Sequence, residues 1–407
     1  MNESIATVYL GLDDVKIPDV IRVGIRIMFL QIGPIETQFE RYTADVAIEA
    51  RWLANPSSIE SLKEHEQCLL SNGHTVRLPN YTKDENNWQP QLFIMNTNVD
   101  PDNQHIRYSL RKDRNNGSYY MREHRLVKGF FFSPFDFHHF PHDIQELSIS
   151  FGSSESGSKI RLEPDFEVPS GINREAFVAV QEWILYEHVE SRIRKVKGFA
   201  FQTDEDGELD MPGHEKERSI LTISCHAARR AQYMFWNGYW ISFIMTVVGF
   251  AAFSITAENT NQRLGVAFTL LLTHIAFRWT ICVSHLTPPI AYLTALDKYS
   301  ITSMFFVIIL GVWHAIIGSL LFTYNWQSKP EPTNYWLWID RYLFITLAGF
   351  YIVGHIILII WFFVVPFGLR RQMRTKDKVY HELLLKNNYL RQHSATFTAL
   401  SETNCRL

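Results

Sequence analysis

Asp136, His138, His139, His142 and Asp143 bring three imidazoles and two carboxylates into one short stretch of chain. Imidazole nitrogens and carboxylate oxygens are zinc ligands, and histidine changes charge near neutral pH, so metal binding and proton sensing both lie within their chemistry. The set is partial and nothing in its spacing fixes a geometry, which favours plain hydrogen bonding. Elsewhere no nucleophile, base and orienting group fall into a catalytic pattern. The expectation is a protein with no enzymatic activity, no cofactor and no metal.

A second set has a regular spacing. Gly265, Thr269, Leu272, Ala276, Thr280 and Val283 recur at steps of three or four, so they share one face of a helix. Small and hydroxylated residues on such a face either let helices pack closely or let water and ions approach the backbone, and periodicity leaves both open. His274 and Arg278 fall off the stripe. His274 reads as a hydrogen-bonded packing residue, and Arg278 as one that snorkels or pairs near the helix end.

Formal net charge is −3, from 39 basic and 42 acidic residues, without the single-sign field of a nucleic-acid surface, so no such partner is expected. Cys68, Cys225, Cys282 and Cys405 lie far apart with no zinc-type CxxC pair. Asn80-Tyr-Thr82 and Asn116-Gly-Ser118 are N-glycosylation candidates, and Asn2-Glu-Ser4 has the same form. The start Met1-Asn-Glu-Ser-Ile lacks signal-peptide character, so a natural signal is expected to have been trimmed, leaving Met1 as a cloning start.

The elements that must position these residues change character near Tyr233. Before it, Ile21 to Leu30 and Tyr42 to Trp52 alternate apolar and polar residues at period two around a Gly33-Pro34 break. Further strands are expected over Gln91–Met95, Arg107–Arg111, Tyr119–Lys128, Ile144–Phe151, Trp183–Lys197 and Arg218–His226. That spacing argues for a β-sandwich. After it come four apolar stretches, about 233–255, 264–286, 301–324 and 342–369, each long enough to cross a bilayer. Their link at about 325–341 is short. Val379 to Leu390 reads as a short amphipathic helix, and Ser394 to Leu407 as disordered.

Ser133-Pro-Phe-Asp-Phe-His-His-Phe-Pro-His-Asp-Ile-Gln-Glu-Leu147 resembles the signature loop of pentameric ligand-gated ion channels, the Cys-loop receptor superfamily. Phe140, Pro141, Asp143 and Gln145 match that loop, while Ser133 and Leu147 stand where its two cysteines would be. This is similar to bacterial members that lack the disulfide, and packing of Leu147 is expected to replace it. Trp52, Trp88-Gln-Pro90 with Asn96, Glu182-Trp183, Arg229 and Asn237 extend the resemblance over about Val15 to Gly368. Gln91 replaces the family's aspartate. Ile241 replaces a helix-kinking proline, which implies a straighter first helix unless something compensates.

The resemblance implies an α+β membrane protein. Residues 1–230 would form an extracellular, immunoglobulin-like, ligand-binding β-sandwich, 231–369 a four-helix transmembrane bundle with a cytoplasmic link, and 370–407 a C-terminal tail. Five identical or homologous subunits would surround a pore lined by the Gly265–Val283 stripe, with Leu272 as its dewetting constriction. Implied partners are membrane lipid, a permeant small ion and a small-molecule agonist. Glu258, Gln262 and Arg263 would stand at the inner mouth, where the pattern leans to anion-selective or unselective conduction.

Glu36, Asp143 and Arg229 would form an ionic cluster coupling the two halves. Ala47, Met95, Tyr120, Arg122, Ser154, Phe199 and Phe201 fall at ligand-site positions, but the aromatic box for an ammonium group is largely absent, which disfavours a small amine. A non-conducting membrane-anchored binding protein on the same fold is the alternative. Basic residues from Arg370 to Lys378 and at Arg229-Arg230 would by the positive-inside rule place both ends in the cytoplasm; the family topology places them outside, in the plasma membrane.

Overall fold

A computed structural model describes residues 20–54, 62–71, 74–79, 81, 88–98, 105–113, 117–155, 159–165, 167–197, 217–283, 290–326 and 333–404. Among these residues two sheets form the N-terminal part. The larger has seven strands, in the order β3 (Val76–Leu78), β5 (His105–Lys112), β6 (Tyr119–Phe132), β2 (Arg41–Leu53), β1 (Ile21–Glu36) and β8 (Ile160–Pro164), with β9 (Gly171–Ile172) also on β1. The smaller runs β10 (Trp183–Lys197), β11 (Glu217–Arg229), β7 (Ile144–Ser153) and β4 (Leu92–Ile94).

Period-two alternation sets the register. Val23, Ile25, Ile27 and Phe29 of β1 and Tyr42, Ala44, Val46 and Ile48 of β2 bury one face against Leu147, Ile149 and Phe151 of β7 and Leu221, Ile223 and Cys225 of β11. Each large side chain contributes about 1.5–3 kcal/mol by burial, so a one-residue slip, which turns the whole set to solvent, is excluded.

Several features go beyond or differ from the sequence expectation. β1 does not stop at Gly33-Pro34; a register irregularity between Ile32 and Ile35 absorbs the proline. A side chain at Gly33 would overlap Thr43 Oγ1. The short strands β3, β8 and β9 and a helix over Glu64–Ser71 carry too few residues to register a period. The first span, Gln232–Ser254, holds a π-helical turn over Phe235–Trp240 directly before Ile241, so the break comes from the backbone in place of the missing proline.

The second span is Thr260–Val283, the third Ala295–Trp326 and the fourth Thr333–Val364, which leaves a shorter link than 325–341. The third starts before Ile301 because Thr294 and Asp297 cap it reciprocally: Thr294 Oγ1 accepts from Asp297 N (3.1 Å) and Asp297 Oδ2 from Thr294 N (3.1 Å). The helix from Pro366 runs to Asn404, in place of a short helix and a disordered end. By length and composition these four apolar helices make the chain a multi-pass membrane protein.

Candidate functional site

The loop from Ser133 to Leu147 sits between the sandwich and the spans. With no disulfide, its base is closed by Ser133 Oγ donating to Glu146 O (2.6 Å) and by the fully buried Leu147. Gln145 braces the interior, donating to Asp136 O (2.8 Å) and Asp143 Oδ2 (2.6 Å) and accepting from Asp136 N (2.9 Å). Phe140 and Pro141 are buried beneath it.

Asp143 carries the charge of this junction. Arg229, the last residue of β11 before the first span, donates to it through Nε (2.9 Å to Oδ1) and Nη2 (3.3 Å to Oδ2), and both residues are buried. The guanidinium lies over Trp183 (4.2 Å) and beside Phe140 (5.1 Å). Arg370, at the start of the tail helix, donates to Arg229 O (2.6 Å). The loop also holds the entry to the third span, as Ala295 N and Leu296 N donate to His138 O (3.1 Å) and Phe140 O (3.3 Å). Leu296 in turn abuts Gly238, where a Cβ would come within 2.9 Å of its Cδ1. Glu36 does not join this cluster; the strand turn pairs it with Arg41 (2.6 Å).

The three loop histidines diverge. His138 bonds Asp136 (2.6 Å) and stacks on Tyr292 at 4.0 Å, His139 tilts toward Trp361 (5.9 Å), and His142 packs on Phe362 (5.0 Å) and Phe367 (5.8 Å). Plain hydrogen bonding describes His138; Nδ1 of His139 and of His142 has no partner among the described residues. Burial, reinforced by Arg370 and opposed by Asp143, pushes His142 down to about 4. A histidine lowered on folding takes its proton preferentially in the unfolded chain, so its contribution is full above pH 6.5 and is lost as pH falls toward 4. Thermal midpoints measured across that window should fall with acidification, and His142→Gln should flatten the fall.

On the second span Gly265, Thr269, Leu272, Ala276 and Thr280 are all exposed, Leu272 at 69 %, while Val283 has no described side chain. Thr269 and Thr280 donate to Gly265 O (2.8 Å) and Ala276 O (3.0 Å), which leaves their oxygen lone pairs on the exposed face. His274 is buried, yet neither ring nitrogen has a hydrogen-bond partner among the described residues, so it is packed there without the expected bond. Arg278 is half-buried. At the other end Glu258 and Gln262 are exposed, but Arg263 is 2 % exposed and turned into the bundle. It pairs with Asp340 Oδ2 (2.9 Å) and donates to Ile255 O, and Trp313 Nε1 donates to Asp340 Oδ1 (2.8 Å).

The positions singled out for ligand binding divide between the sheets. Ala47 lines a cleft of about 440 Å³ on the outward face of the larger sheet, with Arg26, Glu49, Arg107 and His124. Glu49, itself buried, accepts from Arg26 Nε (2.8 Å) and pairs with Arg122 Nη1 (3.1 Å). Arg51 lies 4.3 Å over Tyr120. Burial lowers Arg122, with Arg111, Arg51 and Arg26 adding to the fall and Glu49 opposing it. Met95 and Ser154 flank the smaller sheet, bonded to Ser150 O and Gln91 O. Phe199, Phe201, Asn80 and Asn116 lie outside the described residues.

Neither the protein-family models nor the curated proteins include a match to this chain.

Glu49 and Asp340 escape sequence reading for different reasons. Glu49 occupies an outward position of an alternating strand, where a carboxylate reads as solvated. Asp340 stands in a Trp-rich segment that reads as a link, and once the helix is seen to start at Thr333 it becomes an acidic residue inside an apolar span, itself a functional signal.

Proposed function

We propose that the chain is one subunit of a pentameric ligand-gated ion channel. The observation that carries this is the loop from Ser133 to Leu147. It is locked to the end of β11 by the buried Asp143–Arg229 pair and bonded to the start of the third span, so movement of the sandwich is transmitted to the helices. Four further identical or homologous subunits would complete the ring, with the exposed Gly265–Thr280 face turned to the pore and lipid around the outer helices. The sandwich would face outward at the plasma membrane. The tail helix, which docks on β10, would then also lie outside, and protection of the tail from external protease in sealed cells would contradict this.

The agonist fits an acidic small molecule better than an amine. Ala47, Met95 and Ser154 supply no ring for an ammonium group, whereas guanidinium exceeds carboxylate around Glu49. Selectivity moves away from the anionic reading, because Arg263 spends its charge on Asp340 while Glu258 stays exposed beside the second span. A Glu258 ring favours cation entry. Reversal potentials across a salt gradient should give a cation-preferring channel, and Glu258→Gln should lower its cation-to-anion permeability ratio severalfold; an unchanged ratio removes Glu258 from the filter.

A further inference from the structure

We propose that His188, Glu190 and His226 form a site for a divalent transition cation of the zinc type, which fastens the tail helix to the sandwich. The three stand on β10 and β11, with His188 inside the register irregularity between Leu185 and Val189 and His226 facing it from β11. One ligand atom from each lies within 4.8 Å of the others. The two rings stack at 5.1 Å and are buried, yet His188 Nε2 and His226 Nδ1 have no hydrogen-bond partner among the described residues. Two orphaned imidazole nitrogens beside a carboxylate are a donor set suited to zinc.

The tail helix completes the arrangement. Asp377 Oδ1 accepts from His188 Nδ1 (2.5 Å) and from the backbone N–H of Glu187 (2.9 Å) and His188 (3.0 Å). That carboxylate holds the proton on Nδ1 and leaves the Nε2 lone pair free for a metal, with Glu190 Oε1 3.8 Å from Nε2. Tetrahedral zinc holds its ligands at about 2.0–2.2 Å, so the cluster must contract around the ion. Lys376 Nζ now occupies Glu190 Oε1 (2.5 Å), and Arg192 Nη2 takes Oε2 (3.1 Å). The ion therefore competes with the Lys376 ammonium for one oxygen, while Asp377 links its binding to docking of the tail.

The test is zinc competition with a chromophoric chelator on purified, metal-stripped, full-length protein. It is read on the protein alone, so it stands or fails separately from channel activity. One zinc per subunit is expected. Affinity should fall by about 100-fold in His226→Ala and by about 10- to 100-fold in Asp377→Asn, and should rise in Lys376→Met, which frees Glu190. Zinc should also slow hydrogen exchange of the tail helix, by linkage. Glu190→Gln, which keeps the side-chain shape, serves should His226→Ala fail to fold. No saturable binding, or binding unchanged in Glu190→Gln and His226→Ala, or weakened in Lys376→Met, overturns the proposal.

Discussion

Arg229→Ala should abolish the response to agonist. Asp143 is 2 % exposed, and the substitution leaves its carboxylate with Gln145 as its remaining side-chain hydrogen bond in place of a two-pronged guanidinium. Breaking a buried ion pair from one side costs about 3–5 kcal/mol, comparable to a channel's whole closed-to-open difference. The same guanidinium lies against the Trp183 and Phe140 rings, so packing is lost with charge. Arg229→Lys should recover little, because an ammonium cannot reproduce the fork.

Combining Arg229→Ala with Asp143→Ala should be less harmful than the sum, with a coupling of about 0.5–3 kcal/mol in thermal or gating free energy. Additive effects would mean that the pair does not act as a unit. Surface expression and pentamer elution, read alongside current, separate failure to assemble from failure to couple.

The second large effect belongs to Leu272. If five Leu272 side chains close the pore by dewetting, replacing each with threonine places a hydroxyl in the constriction and lets water persist there. Leu272→Thr should raise current without agonist at least about tenfold, equivalent to about 1.4 kcal/mol toward the open state. Leu270, one helical face away and half-buried against Gly249 of the first span, should when changed to threonine lose stability without gaining such current. Equal behaviour of the two variants would return the stripe to ordinary helix packing.

What the sequence revealed follows from how local each cause is. Strands β1, β2, β7, β10 and β11 alternate over many residues, and the four apolar runs state their own length, so sandwich and spans were readable. Asp143 and Arg229 were singled out by motif and do meet, because each ends or borders a long strand whose pairing is fixed by Ala228 opposite Ile144. Glu36 is expected in the Asp143–Arg229 cluster and Arg263 at an open inner mouth, and neither is found there. Glu36 is captured by Arg41 five positions on, and Arg263 by Asp340 on a different helix. The first contact is too short-range to carry a motif and the second too distant to leave a period. The docking of Asp377 on His188 is likewise visible only once the tail folds back onto β10.

Conduction through a ring of second spans can be measured directly. Purified protein, verified as intact pentamers by native mass spectrometry, should give unitary currents in planar bilayers, sparse in the wild type without agonist and frequent in Leu272→Thr. Intact pentamers that stay silent in both forms, across pH and acidic ligands, would contradict it.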